Sequence, residues 1–179
     1  NGERSVLMNT KLNAKHIVVG GLLTAMSILI PLLFAGTPLM ILIPPGFTAT
    51  ITSHVPSMLA MAISPGVAIM VGIGSAIGFT LKVNAMVGAR AFVHAIFGGV
   101  GAFAYNRGTP FWLVLIITLP IHAILEGLVL LPFGIDFNQA MVVTSIGTAI
   151  HHGIDGFITM IVYQSLIQFS LLKKPSINH

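Results

Sequence analysis

The sequence predicts an all-α integral membrane protein of six transmembrane helices, with both termini in the cytoplasm. Of its 179 residues, 55% are hydrophobic and only 7% are charged, whereas a soluble domain carries about 25% charged residues because its surface faces water. A transmembrane helix needs about 20 apolar residues, so six such helices would occupy most of the chain. We therefore expect a single transmembrane domain over residues 1–179, with the lipid bilayer as its solvent.

Six apolar runs, separated by turn-forming residues, are the predicted helices. Helices are expected because backbone groups in lipid must be hydrogen-bonded within their own segment. The stretch 35–47 is rich in glycine and proline, is too broken for one helix, and predicts a loop or re-entrant turn. The predicted spans cover residues 17–34, 48–63, 67–81, 85–105, 111–131 and 139–172.

The basic residues predict how the chain is oriented. With six spans, Lys82 lies alone in a loop on one side, and most other basic residues lie on the opposite side. Cytoplasmic segments carry an excess of lysine and arginine, so the polar segment 1–15 and the basic tail 173–179 are both predicted to be cytoplasmic. The basic residues of that side are Arg4, Lys11, Lys15, Arg107, Lys173 and Lys174.

Ionisable residues inside the predicted spans are the main functional signal. A charge in lipid is costly, so it needs a partner, a cavity or a ligand. Three pairs are spaced i,i+4 and therefore share a helix face, and several helices bring polar groups to the same outer level. The full set is His54, Arg90, His94, His122, Glu126, His151, His152 and Asp155. Because His54, Arg90 and Glu126 lie at the same outer level, the pattern predicts a cavity that opens outward.

Structural interpretations of these residues stay open. Arg90 binds a ligand, or it forms an ion pair with Glu126 that only supports the fold. For His122 and His152, a hydrogen bond to a neighbouring group is favoured over ligand binding. Asp155 can likewise serve the fold or a contact on the cytoplasmic side.

Small residues within the spans predict close contacts between helices. In the third span Gly72, Gly74 and Gly78 form such a face, for which helix packing is the favoured interpretation. In the first span Gly21 and Ala25 either pack inside the bundle or dock a partner. The chain has no P-loop sequence, no cysteine for a thiolate metal site, and no dense basic stripe for nucleic acid.

Several short segments together resemble one family. They are IPPGFT (43–48), SHVP (53–56), LAMAISP (59–65), GF (78–79) and RAFVH (90–94). With the size, the six predicted spans and the basic tail, they resemble the substrate-binding S components of energy-coupling factor (ECF) vitamin transporters, and most closely the pantothenate and niacin type.

The resemblance implies a substrate-capture subunit of an ABC-type importer in the bacterial plasma membrane, and not an enzyme. Such a subunit takes up a vitamin from outside and associates with a transmembrane coupling subunit and two ATPase subunits. The ATPases bind ATP and Mg²⁺, so no cofactor and no metal are implied in this chain. Family members dock through an A-x-x-x-A pattern on the first helix, which Gly21 and Ala25 match here with glycine at the first position.

The resemblance also implies a substrate site. An arginine in a membrane cavity is suited to a carboxylate, which it binds through two parallel hydrogen bonds. We expect Arg90 to bind the carboxylate of the vitamin and Glu126 to orient Arg90 or to accept a hydroxyl. The full set of predicted substrate-binding residues is Arg90, His54, His94, Asn84, Glu126 and His151.

Among vitamins, pantothenate ranks first because its hydroxyl and amide groups can use several polar side chains. Niacin ranks second and would need a stacking ring such as Phe92 or Trp112. A hydroxymethylpyrimidine ranks third, because it leaves Arg90 without a role. A different class of function also stays open, in which histidines inside the spans ligate haem or a metal ion; its candidates are His54, His94, His122 and His151.

Overall fold

The structure is a computed structural model that describes residues 14–169 and Leu172. The predicted basic residues Arg4, Lys11, Lys173 and Lys174 lie outside the described residues. In chain order the elements are α1 (Ala14–Phe34), β1 (Met40–Ile43), β2 (Phe47–Thr50), α2 (Val55–Met61), α3 (Pro65–Lys82), α4 (Ala85–Asn106), α5 (Phe111–Leu130), a 3-10 turn (Leu131–Phe133), a π-helical segment (Gln139–Thr144) and α6 (Ser145–Gln168).

The predicted class, an all-α membrane protein, is confirmed. Within the described residues, α1, α3, α4 and α5 with its 3-10 turn are long and apolar enough to cross a membrane. Helix α6 has 24 residues, a length of about 36 Å, but it is less apolar because it carries His151, His152 and Asp155. The described residues do not support the count of six spans, because the predicted second span is not a long helix, and the cytoplasmic position of both termini stays a prediction.

The predicted second span, 48–63, is wrong. Residues of this run form β2, a turn and the helix α2, which has only 7 residues and rises about 10 Å, too little to cross a bilayer. Every residue of α2 is buried. The run is apolar because other helices surround it, and not because it faces lipid. Ser64 then starts the next helix, its side chain accepting a hydrogen bond from the Val67 N–H at 3.2 Å.

The predicted loop at 35–47 is partly a β-hairpin. Strands β1 and β2 pair antiparallel, from Met40 opposite Thr50 to Ile43 opposite Phe47. Strand β1 is mostly exposed and β2 is mostly buried, so the hairpin lies with β2 against the helices. An open strand edge is not stable in the hydrocarbon region, which favours a position of the hairpin at the boundary of the bilayer.

Glycines set the close approach of the helices, which confirms the packing interpretation of the third span. A Cβ added at Gly72 would overlap the backbone of Ala95 in α4. On the other side of α3, a Cβ at Gly78 would lie 2.7 Å from the carbonyl oxygen of Ile28 in α1. Helix α3 therefore packs between α1 and α4 at distances that only glycine permits.

Replacing Gly72 by alanine should destabilise the protein. The overlap with the Ala95 backbone forces the helices apart, which typically costs about 1–3 kcal/mol, and we expect Tm to fall by about 2–12 °C. Gly153→Ala is the matched control, because a Cβ at Gly153 has no atom within 4 Å. Thermal unfolding in detergent, followed by circular dichroism, measures both variants. Equal Tm values for the two would contradict the packing described here.

Candidate functional site

A cluster of buried ionisable side chains lies beneath the hairpin, at the junction of α2, α4, α5 and α6. Each member is 9% exposed or less, although charged groups are rarely buried unless they are paired. The members are the residues predicted from the sequence as intramembrane polar groups: His54, Arg90, His94, His122, Glu126, His151, His152 and Asp155.

Glu126 on α5 is the centre of this cluster. Its Oε2 accepts hydrogen bonds from the Arg90 guanidinium and, at 2.7 Å, from the hydroxyl of Thr148. Its Oε1 lies 3.3 Å from Nε2 of His122 and 3.6 Å from Nε2 of His94. One carboxylate therefore connects α4, α5 and α6.

Arg90 connects the helices to the hairpin. Its Nη1 donates to the Gly46 carbonyl at 2.8 Å and to the Thr48 hydroxyl at 3.2 Å, while its Nη2 binds Glu126. The guanidinium also lies 5.7 Å from the centre of the Phe47 ring. The ion pair with Glu126 that the sequence left open as a structural alternative is present, and the same guanidinium faces a cavity.

Asp155 on α6 fixes the turn between the hairpin and α2. Its Oδ1 accepts from the Thr52 N–H at 2.9 Å, and its Oδ2 accepts from the His54 N–H at 3.0 Å. Thr52 has φ of 65°, which is uncommon for a β-branched residue. The same Oδ2 lies 3.0 Å from Nδ1 of His54 and 3.3 Å from Nε2 of His151. Asp155 thus holds both the backbone and the ring of His54 in place.

The remaining histidines are held by neighbouring groups. His152 Nε2 lies 3.0 Å from the Leu115 carbonyl, and its Nδ1 lies 3.0 Å from Nδ1 of His122. The hydrogen-bonded interpretation of His152 is therefore confirmed. His122 has that bond and also faces Glu126, and the Nδ1 of His94 lies 2.9 Å from the Ser75 hydroxyl.

A cavity of about 20 Å³ lies between the cluster and the hairpin, roughly the space of one water molecule. Its wall includes five of the six predicted substrate-binding residues and also residues that the sequence reasoning missed. The predicted ones are Arg90, His54, His94, Glu126 and His151, and the others are Thr48, Thr50, Ser53, Phe79, Val87 and Ala91.

The structure does not bring Asn84 to this cavity. Asn84 is exposed and caps the start of α4, its Oδ1 accepting from the Val87 N–H at 2.9 Å. Asparagine is a preferred residue at this position, so its place before an apolar run already indicated a capping role. The proposed stacking residues Phe92 and Trp112 are also outside the site, at 50% and 54% exposure.

Two polar residues that the sequence reasoning missed support the cluster from outside. Thr148 lies one helical turn before His151 and His152, so its spacing on α6 could have placed it on their face. Ser75 lies within the glycine face of α3, where a small residue is most simply attributed to packing, and its contact with His94 is long-range in the sequence.

The alternative of a haem site does not fit this arrangement. The ring of His54 is in direct contact with its neighbours, with centroids 4.7 Å from His94 and 4.6 Å from His122. A porphyrin would have to separate these rings, and the cavity between them holds only about 20 Å³.

On α1, both predicted docking residues face outward. Gly21 and Ala25 are exposed, and a Cβ at Gly21 has no atom within 4 Å. Packing of α1 on α3 uses the opposite face, through Gly20, Leu23 and Ser27. The small residues at 21 and 25 are therefore not explained by packing within the described part of the chain.

Comparison with known proteins adds one relative. Over 110 residues the chain is 29% identical to the niacin transporter NiaX of Lactococcus lactis subsp. cremoris (strain MG1363). The matched region covers 61% of this chain and 48% of that protein. The chain thus spans about half the length of the curated relative it matches. No protein-family model and no solved structure matches the chain.

The apolar helices and this similarity decide the location. The chain is a multi-pass protein of the bacterial plasma membrane. Its buried cluster therefore lies in a protein surrounded by lipid, where unpaired charges are most costly.

A double-mutant cycle tests whether Arg90 and Glu126 depend on each other. Glu126→Gln leaves the Arg90 charge buried without its anion, and Arg90→Met leaves Glu126 without its cation; each should lower the free energy of unfolding by about 3–5 kcal/mol. The double variant should lose clearly less than the sum. Denaturant titration in mixed micelles measures these values.

The control for this cycle is Arg107→Met. Arg107 is exposed and lies 4.0 Å over the Phe103 ring, so its loss should cost about 1 kcal/mol or less. Strictly additive effects of the two buried substitutions would show that the ion pair does not stabilise the fold as a unit.

Proposed function

We propose that the chain is the substrate-capture subunit of an ECF-type vitamin importer and that its substrate is niacin. The observation that carries this proposal is the guanidinium of Arg90, which is 3% exposed and forms part of the wall of a cavity beneath the hairpin. A buried arginine presents a planar fork that matches a carboxylate. The similarity to a niacin transporter supports niacin over pantothenate, which the sequence had ranked first.

Polar atoms without partners support a ligand in this cavity. Among the described residues, Nε of Arg90 and the hydroxyl of Thr50 are buried without a hydrogen-bond partner, and both residues are part of the cavity wall. Buried polar groups without partners are few in folded proteins, and each needs an explanation. Niacin is a small aromatic acid, so its carboxylate can bind Arg90 and its ring nitrogen can accept from a hydroxyl such as that of Thr50.

The cavity beside Arg90 is small. About 20 Å³ is too little for any vitamin, so binding requires the hairpin to move away from the helices. A carboxylate bound to Arg90 would replace the contacts of its Nη1 with Gly46 and Thr48. The hairpin then acts as a lid, and a compact ring needs a smaller opening than the extended pantothenate molecule.

The partners of this subunit follow from the same proposal. ATP hydrolysis would belong to two ATPase subunits, joined to this chain by a transmembrane coupling subunit. The outward face of α1 at Gly21 and Ala25 is suited to this contact, because small residues let another helix approach closely in lipid. The exposure of both residues supports this role.

Niacin binding tests the role of Arg90. The wild-type protein should bind niacin more tightly than nicotinamide, its neutral amide, and more tightly than pantothenate. Arg90→Gln should weaken niacin binding by about 10- to 100-fold, the value of a hydrogen-bonded charge, and should change nicotinamide binding much less. Isothermal titration calorimetry of the purified protein measures each affinity.

Two controls separate loss of the ligand from loss of the fold. In Arg90→Gln/Glu126→Gln neither buried charge is left unpaired, so this variant should be folded and still bind niacin weakly. Arg107→Gln removes an exposed arginine and should bind as the wild type does. Unchanged niacin affinity in the Arg90 variants, or tighter binding of pantothenate, would refute the assignment.

Docking on the coupling subunit can be tested without touching the vitamin site. Gly21→Leu should leave Tm and niacin affinity unchanged, because the space around Gly21 is open, but should abolish co-purification with the coupling subunit. Gly153→Leu, at an equally open glycine on α6, should retain the complex. If both variants retain it, α1 does not dock through this face.

A further inference from the structure

Four side chains of the cluster are arranged as ligands around a common point. His54, His94, His122 and Glu126 each offer one ligand atom, and these atoms all lie within 4.8 Å of one another. They come from the turn before α2, from α4 and from α5. We propose that these four residues bind a divalent transition metal ion such as Zn²⁺.

Two of the six distances between the ligand atoms match a tetrahedral site. Zinc binds imidazole nitrogen and carboxylate oxygen at about 2.0–2.2 Å, so neighbouring ligands in a tetrahedron lie about 3.3–3.6 Å apart. Oε1 of Glu126 is 3.3 Å from Nε2 of His122 and 3.6 Å from Nε2 of His94. The other ligand atoms lie within 4.8 Å of one another, so metal binding would draw them closer together through movement of the side chains.

The position of the proton on His122 leaves a lone pair directed at the carboxylate of Glu126. The Leu115 carbonyl only accepts, so Nε2 of His152 carries its proton and Nδ1 of His152 accepts from Nδ1 of His122. Neutral His122 then has a lone pair on Nε2, which faces the Glu126 carboxylate, another acceptor. Two acceptors in contact need a proton or a cation between them.

Each of the three histidines also has an outer partner. The Nδ1 atoms of His94 and His122 lie 2.9 and 3.0 Å from Ser75 and His152. Nδ1 of His54 lies 3.0 Å from Oδ2 of Asp155, an ion-pair contact without hydrogen-bond geometry. In metal sites the nitrogen that does not bind the metal is held in this way, which fixes the tautomer and the ring. Nε2 of His94 is buried and has no hydrogen-bond partner among the described residues.

A second group of possible ligands is already explained by hydrogen bonds. His54, His151 and Asp155 also lie close together, but Asp155 accepts the N–H groups of Thr52 and His54, and Nε2 of His151 lies 3.1 Å from the Thr50 carbonyl. This group therefore orients His54, and the metal belongs to the first group.

The donor set and the charges define the ion. Three imidazoles and one carboxylate suit Zn²⁺, Co²⁺ or Ni²⁺, whereas Mg²⁺ and Ca²⁺ prefer oxygen ligands. With neutral histidines, the buried charges of the described residues are those of Arg90, Glu126 and Asp155, a sum of −1, which favours a cation. Resting on the proposed function, bound niacin would make this sum −2, so metal and vitamin should strengthen each other's binding.

The full chain, purified without a polyhistidine tag and stripped with a chelator, provides the test. Titration with Co²⁺ should produce the visible absorption of a tetrahedral site, and equilibrium dialysis with Zn²⁺ should give one ion per chain. His94→Ala and His122→Ala should abolish this binding, and Ser75→Ala should weaken it by about 10-fold or more. His16→Ala, outside the cluster, should bind as the wild type does.

The results separate this proposal from the proposed function. Circular dichroism shows whether the histidine variants are folded. Ser75→Ala keeps all four ligands, so it tests the metal site even where the histidine variants are unfolded. Binding of less than a tenth of an ion per chain, or binding that Ser75→Ala leaves unchanged, overturns the metal site. Niacin binding to the chelator-treated protein, measured separately, shows whether the vitamin site stands without it.

Discussion

The ion pair between Arg90 and Glu126 is the constraint on which the rest of the structure depends. Two charges withdrawn from water in a lipid-embedded protein lose several kcal/mol each in hydration, and a single contact does not restore this. Each partner therefore forms further hydrogen bonds. Arg90 donates to Gly46 and Thr48, and Glu126 accepts from Thr148. Those bonds tie the hairpin, α4, α5 and α6 into one arrangement.

The same constraint makes the site suitable for ligands. An arginine that is already desolvated and held by neutral groups of a hairpin can exchange those groups for a carboxylate at little further cost in hydration. Asp155 keeps the turn before α2 rigid, and the glycines of α3 keep α4 close. In the proposed function the hairpin moves, and the helices that carry the charges stay fixed.

The fold was predictable from the sequence where lipid alone determines it. The predicted spans 67–81, 85–105 and 111–131 agree within a few residues with α3, α4 and α5. Each is a continuous apolar run, and its ends are determined by turn-forming or capping residues at Ser64-Pro65, Asn84 and Gly108. The run 48–63 was misjudged because burial in a protein core selects the same residues as lipid does. The hairpin was missed because it packs through contacts that are distant in the sequence, such as that of Phe47 with Gly147.

The candidate site was predictable to a similar extent, for a related reason. Ionisable residues in apolar runs must meet in the interior, so Arg90, His94 and Glu126 could be grouped before their contacts were known. Asn84 caps α4 and lies outside the cavity of Arg90; capping a helix and binding a ligand call for the same kind of side chain, so the sequence does not separate these roles. Ser75 was missed because its contact with His94 depends on how α3 and α4 pack, which a single sequence does not reveal.

The most direct test of the central claim is the distance between bound niacin and Arg90. Solid-state NMR on protein labelled with ¹⁵N in its arginine side chains, with niacin labelled in its carboxyl carbon, measures it. A hydrogen-bonded pair predicts a carbon-to-nitrogen distance of about 3.5–4 Å, with the signal lost in Arg90→Gln/Glu126→Gln at saturating niacin. Bound niacin without such a short distance, or a short distance that survives in that variant, would contradict the account.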